Sequence, residues 1–192
     1  MTTKISRVEA SDWQLTDPPL VRYLLANPAS AWLWLPLRIY LGYEWLQAGL
    51  TKIGNPLWTG AQAGTIVRGF VTGALEKVSG PHPDVQWWYA LFLRNVVLPN
   101  AAVFSRLVAY GEVLVGAALI LGFLTGIAAF FGTLMNLSFM LAGTVSMNPI
   151  MFAIATWLVL AWKVAGWWGV DRYLLPYLGT PWSPGRAFGQ RR

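Results

Sequence analysis

Residues 107–170 read LVAYGEVLVGAALILGFLTGIAAFFGTLMNLSFMLAGTVSMNPIMFAIATWLVLAWKVAGWWGV, and in this run only Glu112 and Lys163 are charged. The run is about three times the roughly 20 residues an α-helix needs to cross a hydrocarbon core. Its punctuation falls where a division into three demands it. Gly122-Phe-Leu-Thr-Gly126 and Ser146-Met-Asn-Pro149 are turn-forming clusters. Helices are therefore expected near 103–122, 127–145 and 150–169. Connections this short make consecutive helices antiparallel neighbours.

Working outward, Ala31 to Leu50 is a further apolar stretch of spanning length, ended by Gly54-Asn55-Pro56. Residues 57–102 differ in kind. A weakly amphipathic helix is expected at about 60–78, with Val67, Phe70, Val71 and Ala74 set against Arg68, Glu76 and Lys77. After Gly80-Pro81-His82-Pro83, a shorter helix at about 84–98 carries Trp87, Trp88 and Tyr89, side chains suited to the headgroup zone. The expected fold is an all-α integral membrane protein: a bundle of four transmembrane helices with interfacial helices between the first and second spans. Residues 1–30 read as a polar N-terminal tail with a short helix at 19–26, residues 31–175 as the membrane domain, and residues 176–192 as a basic C-terminal tail. No apolar core precedes Ala31, so the helices themselves are expected to direct insertion.

Composition agrees. Hydrophobic residues make up 56% and charged residues 11%, against about 25% charged in soluble domains. The net charge of +6 is carried by scattered Lys and Arg rather than by a patch. They suit interface anchors better than nucleic-acid contacts, and no nucleic-acid partner is expected. With four spans, positions 4, 7, 22, 163, 172, 186, 191 and 192 share one side, and 52, 68, 77, 94 and 106 the other. That imbalance predicts cytoplasmic termini in a plasma membrane. There is no cysteine and one histidine, His82. Disulfides, thiolate metal sites, iron–sulfur clusters and a bis-histidine haem are thereby excluded. No metal site and no covalently bound cofactor is expected.

Charges inside apolar spans carry the chemistry, because each costs about 2.5–3.5 kcal/mol at a bilayer centre unless partnered. Arg38, Gly42, Trp45, Gly49 and Lys52 recur at intervals of four and three, so they share one stripe of the first helix. Tyr40, Glu44, Gln47 and Thr51 form a second polar stripe beside it. Gly42 and Gly49 permit close helix approach, as do Gly111, Gly116 and Gly122 around Glu112. The simplest pairing sets Arg38 against Glu112. Such a pair serves either helix packing or a ligand or proton site. Asn136, one turn after Thr133, serves either interhelical hydrogen bonding or the same site. Asn148-Pro149 reads as an N-cap followed by a first-turn proline. Most of the Trp residues read as interface anchors, and His82 as a loop residue.

The ordered motifs Arg38-x3-Gly42-x6-Gly49-x2-Lys52, Phe92–Asn100 (FLRNVVLPN), Gly111-Glu112-x3-Gly116-x5-Gly122, and Asn148-Pro149 with Gly169-Val170-Asp171 together resemble the DoxX/DoxD family over about residues 34–175. The resemblance implies a four-helix membrane protein. Its name-giving member is a subunit of an archaeal thiosulfate:quinone oxidoreductase, and other members are linked to membrane oxidoreductase complexes in redox stress. A membrane subunit near quinone chemistry is implied, with quinone as substrate. The candidate polar intramembrane site is Arg38, Glu44, Lys52, Glu112 and Asn136, and the candidate quinone lining is Tyr40, Trp45 and Phe104. Three readings follow: a quinone-linked oxidoreductase subunit, a scaffold docking a soluble oxidoreductase through residues 57–102, and, with less support, a small-molecule transporter. The sequence contains no flavin fingerprint, haem pair or thiol, so electrons must pass directly from substrate to quinone or come from a partner subunit. Lipid is the expected surrounding, with a membrane or soluble oxidoreductase subunit, or further copies of the chain, as partners.

Overall fold

The computed structural model describes residues 17–179, and the sequence-expected tails therefore lie partly outside the described residues. Among the described residues there are eight α-helices: α1 (Pro19–Ala26), α2 (Ala31–Ile53), α3 (Thr65–Glu76), α4 (Trp87–Phe92), α5 (Ala101–Leu121), α6 (Thr125–Leu141), α7 (Asn148–Leu160) and α8 (Asp171–Leu178). No strand occurs among the described residues. Helices α2, α5, α6 and α7 form the bundle, in which α2 packs on α5 and α7, α5 on α6, and α6 on α7.

The α2–α5 contact is the tightest seam, and glycine sets its distance. A β-carbon on Gly49 would stand 2.6 Å from the backbone nitrogen of Val113, and one on Gly42 would stand 3.0 Å from the carbonyl oxygen of Gly116. Opposing backbones this close leave room for hydrogen only, the packing that membrane helices use where lipid removes the hydrophobic drive. Because the helices run antiparallel, residue 42 lies level with 116–120 and residue 49 with 109–113. Trp34, Leu41 and Trp45 of α2 then join Val115 and Leu119 of α5, Ala128 and Ala129 of α6, and Ala155 and Leu158 of α7 in one buried core.

At one end of the bundle α1 folds back on α2. The Trp34 indole Nε1 and the Ser30 Oγ both donate to the Leu24 carbonyl, each at 2.9 Å. At the other end α3, α4 and a π-helical turn (Leu93–Val97) form a cap with its own apolar core of Val67, Val71, Ala74, Val85, Tyr89 and Leu93. The π turn is marked by the Leu98 amide reaching back five residues to the Leu93 carbonyl at 2.8 Å. Pi turns are rare and cluster at functional sites.

Several expectations need correction. The sequence predicts one helix over 84–98, whereas the structure divides this segment between α4 and the π turn. The predicted fourth helix at 150–169 is α-helical only to Leu160, and consecutive turns continue to Trp168. The apolar run hides the reason, which is tertiary. Gly166 packs directly on the Asp171 side chain, and the Trp168 carbonyl is drawn to Arg38 at 3.0 Å. Asn148 is the first residue of α7 rather than its cap, and its side-chain amide donates to the Thr144 carbonyl at 3.1 Å. Of the described helices, α5, with 21 residues, is the one both long and apolar enough to cross a membrane by itself. Helices α6 and α7 are apolar but shorter, with 17 and 13 residues, and α2 carries Arg38, Glu44 and Lys52 within its 23 residues.

Candidate functional site

The polar stripe of α2 is split between two places. Lys52, at the C-terminal end of α2, extends to Glu112 of α5, with Nζ 2.6 Å from Oε2. The carboxylate is buried, with its side chain 2% exposed, while the lysine side chain is 21% exposed. Lys52 also stands over the Trp58 ring, 5.3 Å from its centroid. A half-wet lysine closing on a dry carboxylate is a short, charge-assisted contact.

Arg38 does not meet Glu112, and the expected pairing is corrected by helix register. Position 38 lies level with Gly122, about ten residues and so roughly 15 Å along α5 from Glu112. There the guanidinium, 1% exposed, donates through Nη2 to the Trp168 carbonyl at 3.0 Å. Its Nε and Nη1 have no hydrogen-bond partner, and it interacts coulombically with Asp171. Asp171 in turn accepts from the amides of Leu124 and Thr125 at 2.6 and 2.8 Å, satisfying orphan donors at the start of α6. Its own amide donates to Gly122 at 2.8 Å. Gly122, at φ +65°, has no room for a side chain because the Arg38 Nη1 occupies that space. This cluster ties the α5–α6 turn to the chain entering α8, and Leu124, Thr125 and Asp171 also line a second, smaller cavity of about 320 Å³.

A cavity of about 610 Å³ opens beside the Lys52–Glu112 pair, within the range of about 300–1,000 Å³ usual for small-molecule sites. The α2 wall is Glu44, Trp45, Ala48 and Lys52, and the α5 wall is Phe104, Leu107, Val108 and Glu112. From α6 come Leu134, Met135, Ser138 and Phe139, from the α6–α7 connection Thr144 and Ser146, and from the start of α7 Asn148. The cap closes it with Phe70, Tyr89 and Phe92. Phe70 meets Phe139 and Phe92 meets Phe104 edge to face, with centroids 6.4 Å apart in both pairs. Tyr89 is fixed by donating to the Ser138 carbonyl at 2.8 Å. Burial pushes its phenol above the ordinary range, so it keeps its proton and remains the donor.

Of the residues expected from sequence, Glu44, Trp45, Lys52, Phe104 and Glu112 share this cavity. Arg38, Tyr40 and Asn136 do not line it. Tyr40 is 38% exposed on the outer face of α2. Asn136 is buried, and neither of its amide atoms has a hydrogen-bond partner; the Trp45 Nε1 is equally unpartnered. Trp45 lies against Gly132, one turn before Asn136. Sequence reasoning missed Tyr89, Phe70 and Ser138 as wall residues. Of the adjacent Trp87, Trp88 and Tyr89, the tyrosine alone turns inward, and only the cap fold selects it.

The fold is an all-α bundle whose cavity is enclosed partly by the bundle helices and partly by a cap. The DoxX family matches residues 33–162, and the chain belongs to that family. No curated protein matches the chain, and no solved structure does.

Proposed function

We propose that the chain is a quinone-linked membrane oxidoreductase subunit whose α2, α5, α6 and α7 all traverse the bilayer, in a plasma membrane with cytoplasmic termini. One observation carries the functional reading: an aromatic-rich, mainly apolar cavity with a single ion pair, Lys52–Glu112, on its wall. A quinone ring needs apolar, aromatic surroundings and a few donors for its two carbonyl oxygens. Lys52, extending from the rim, is the donor suited to one oxygen, and Glu112 and Glu44 are carboxylates able to exchange protons with the ring oxygens. Reduction to the quinol consumes two electrons and two protons. The protons pass through these side chains, and the electrons come from a small reductant or a partner subunit. The span assignment is supported by family membership, by the apolar α5–α7 run, and by turns that continue α7 toward Gly169.

The test is quinone binding and reduction by purified protein, with thiosulfate and other small reductants offered in turn. Binding that drops at least tenfold in both Glu112→Gln and Lys52→Gln, with reduction lost, is expected. Unchanged quinone binding in both variants would refute the assigned site. Binding without reduction by any donor would instead favour the scaffold that docks a soluble oxidoreductase.

A further inference from the structure

The cavity has two kinds of boundary. Toward the α6–α7 connection it is lined by Thr144, Ser146 and Asn148, a mainly polar edge with Met147 among them. Along α5 and α6 its lining is mainly apolar and includes side chains that also reach the outer surface. These helices start together at their turn, and the chain is still close at Gly111, where a β-carbon would lie 3.7 Å from the Met135 Sδ. Farther along, α4 reaches both of them. Its Tyr89 bonds to Ser138 of α6 at 2.8 Å, and its Phe92 ring packs on Phe104 of α5. One turn beneath these contacts stand Leu107 on α5 and Leu134 on α6. Both line the cavity, and both are on the outer surface of the bundle, 63% and 47% exposed. Phe92 above them is likewise both lining and exposed, at 39%. Three apolar side chains from three elements on this side thus belong both to the chamber wall and to the outer surface, as do Phe70 and Met147 elsewhere on the wall.

We propose that this side is a lateral portal, and that the ligand is a quinone with a long isoprenoid tail whose ring sits at the Lys52–Glu112 wall while its tail runs out between Leu107 and Leu134 into the bilayer. The inference rests on the quinone reading above. A chamber of 610 Å³ suits a ring and the start of a tail, and a polyisoprenoid chain has nowhere to go inside it. The polar edge at Thr144–Asn148 is unsuited to hydrocarbon, because tail atoms there would displace water from hydroxyl and amide groups. The Leu107–Leu134 side makes no such demand, since the tail only exchanges lipid neighbours for leucine and phenylalanine.

The test compares binding of two quinones with the same ring, carrying one and ten isoprene units, to full-length protein in lipid nanodiscs. Leu107→Trp and Leu134→Trp narrow the portal from lipid-facing positions where larger apolar side chains leave folding undisturbed. Leu114→Trp, on the same helix at a position 70% exposed and away from the cavity, is the control. The expected result is that each portal variant weakens affinity for the ten-unit quinone at least tenfold more than for the one-unit quinone, with no change in the control. Long-tail affinity that survives both portal variants overturns the portal alone, as does equal loss of both probes or an equal effect of the control. Failure of either quinone to bind the wild-type chain overturns the quinone reading and the portal with it.

Discussion

Gly116→Ala is a single-methyl change aimed at the seam on which the chamber depends. A β-carbon at 116 would lie 2.7 Å from the Leu46 Cα and 2.8 Å from the Gly42 carbonyl oxygen, whereas carbon contacts settle at about 3.5–4.0 Å. Both obstacles are backbone, so no side chain can rotate away, and α2 must retreat by roughly 1 Å. Overpacking of this kind costs about 1–3 kcal/mol, partly offset by the better helix propensity of alanine, about 1 kcal/mol. The comparison that isolates packing is Gly69→Ala on α3, where a β-carbon meets nothing within 4 Å. That variant keeps the propensity gain without the clash. Reversible unfolding in mixed micelles, followed by circular dichroism, should therefore separate the two by about 1–3 kcal/mol, with Gly116→Ala the less stable. A separation under about 0.5 kcal/mol would show that α2 and α5 are not in backbone contact. The retreat also draws Lys52 away from Glu112, so quinone affinity should fall in Gly116→Ala and stay constant in Gly69→Ala.

Glu112→Gln should destabilise the fold by about 1–3 kcal/mol because it removes the charged partner of the partly exposed Lys52, while Lys52→Met with Glu112→Leu recovers most of that loss; unfolding midpoints of the three variants decide it. Asp171→Asn should cost about 1–3 kcal/mol by weakening the acceptors for Leu124 and Thr125 and removing the charge facing Arg38, and hydrogen exchange at those two amides should accelerate. Tyr89→Phe should cost about 1 kcal/mol through loss of the bond to Ser138, with faster exchange across α4 and little change at α7; uniform acceleration everywhere would mean that the cap is not a separate opening unit.

The bundle helices were legible because apolar runs of spanning length leave few alternatives, and Gly122 and Asn148-Pro149 mark real ends. The pairing of charges was not. Arg38 and Lys52 lie on one stripe of α2, so composition allows either to face Glu112, and only the sliding register of two antiparallel helices chooses. Gly42 opposite Gly116 and Gly49 opposite Val113 fix that register at Lys52. The glycines were visible in the sequence as close-contact positions, but which glycine meets which is a property of two helices together. The chamber itself was half legible: Glu44, Trp45, Phe104 and Glu112 lie on helices whose spacing is readable, whereas Phe70, Tyr89 and Ser138 reach it through the packing of a cap that local pattern does not encode. The shortening of α7 is invisible locally for the same reason, since Gly166 and Trp168 answer to Asp171 and Arg38.

The chamber lies entirely in one half of the bundle, at the end of α2 that carries Lys52, while α1, Arg38 and α8 gather at the opposite end. On the quinone reading proposed above, chemistry in it is vectorial. Protons would reach Glu112 from the cap side of the bundle, so each quinone reduced would draw them from that side alone. Under the topology proposed above, that side is the exterior, and a reductant or partner enzyme for this chamber would be sought there.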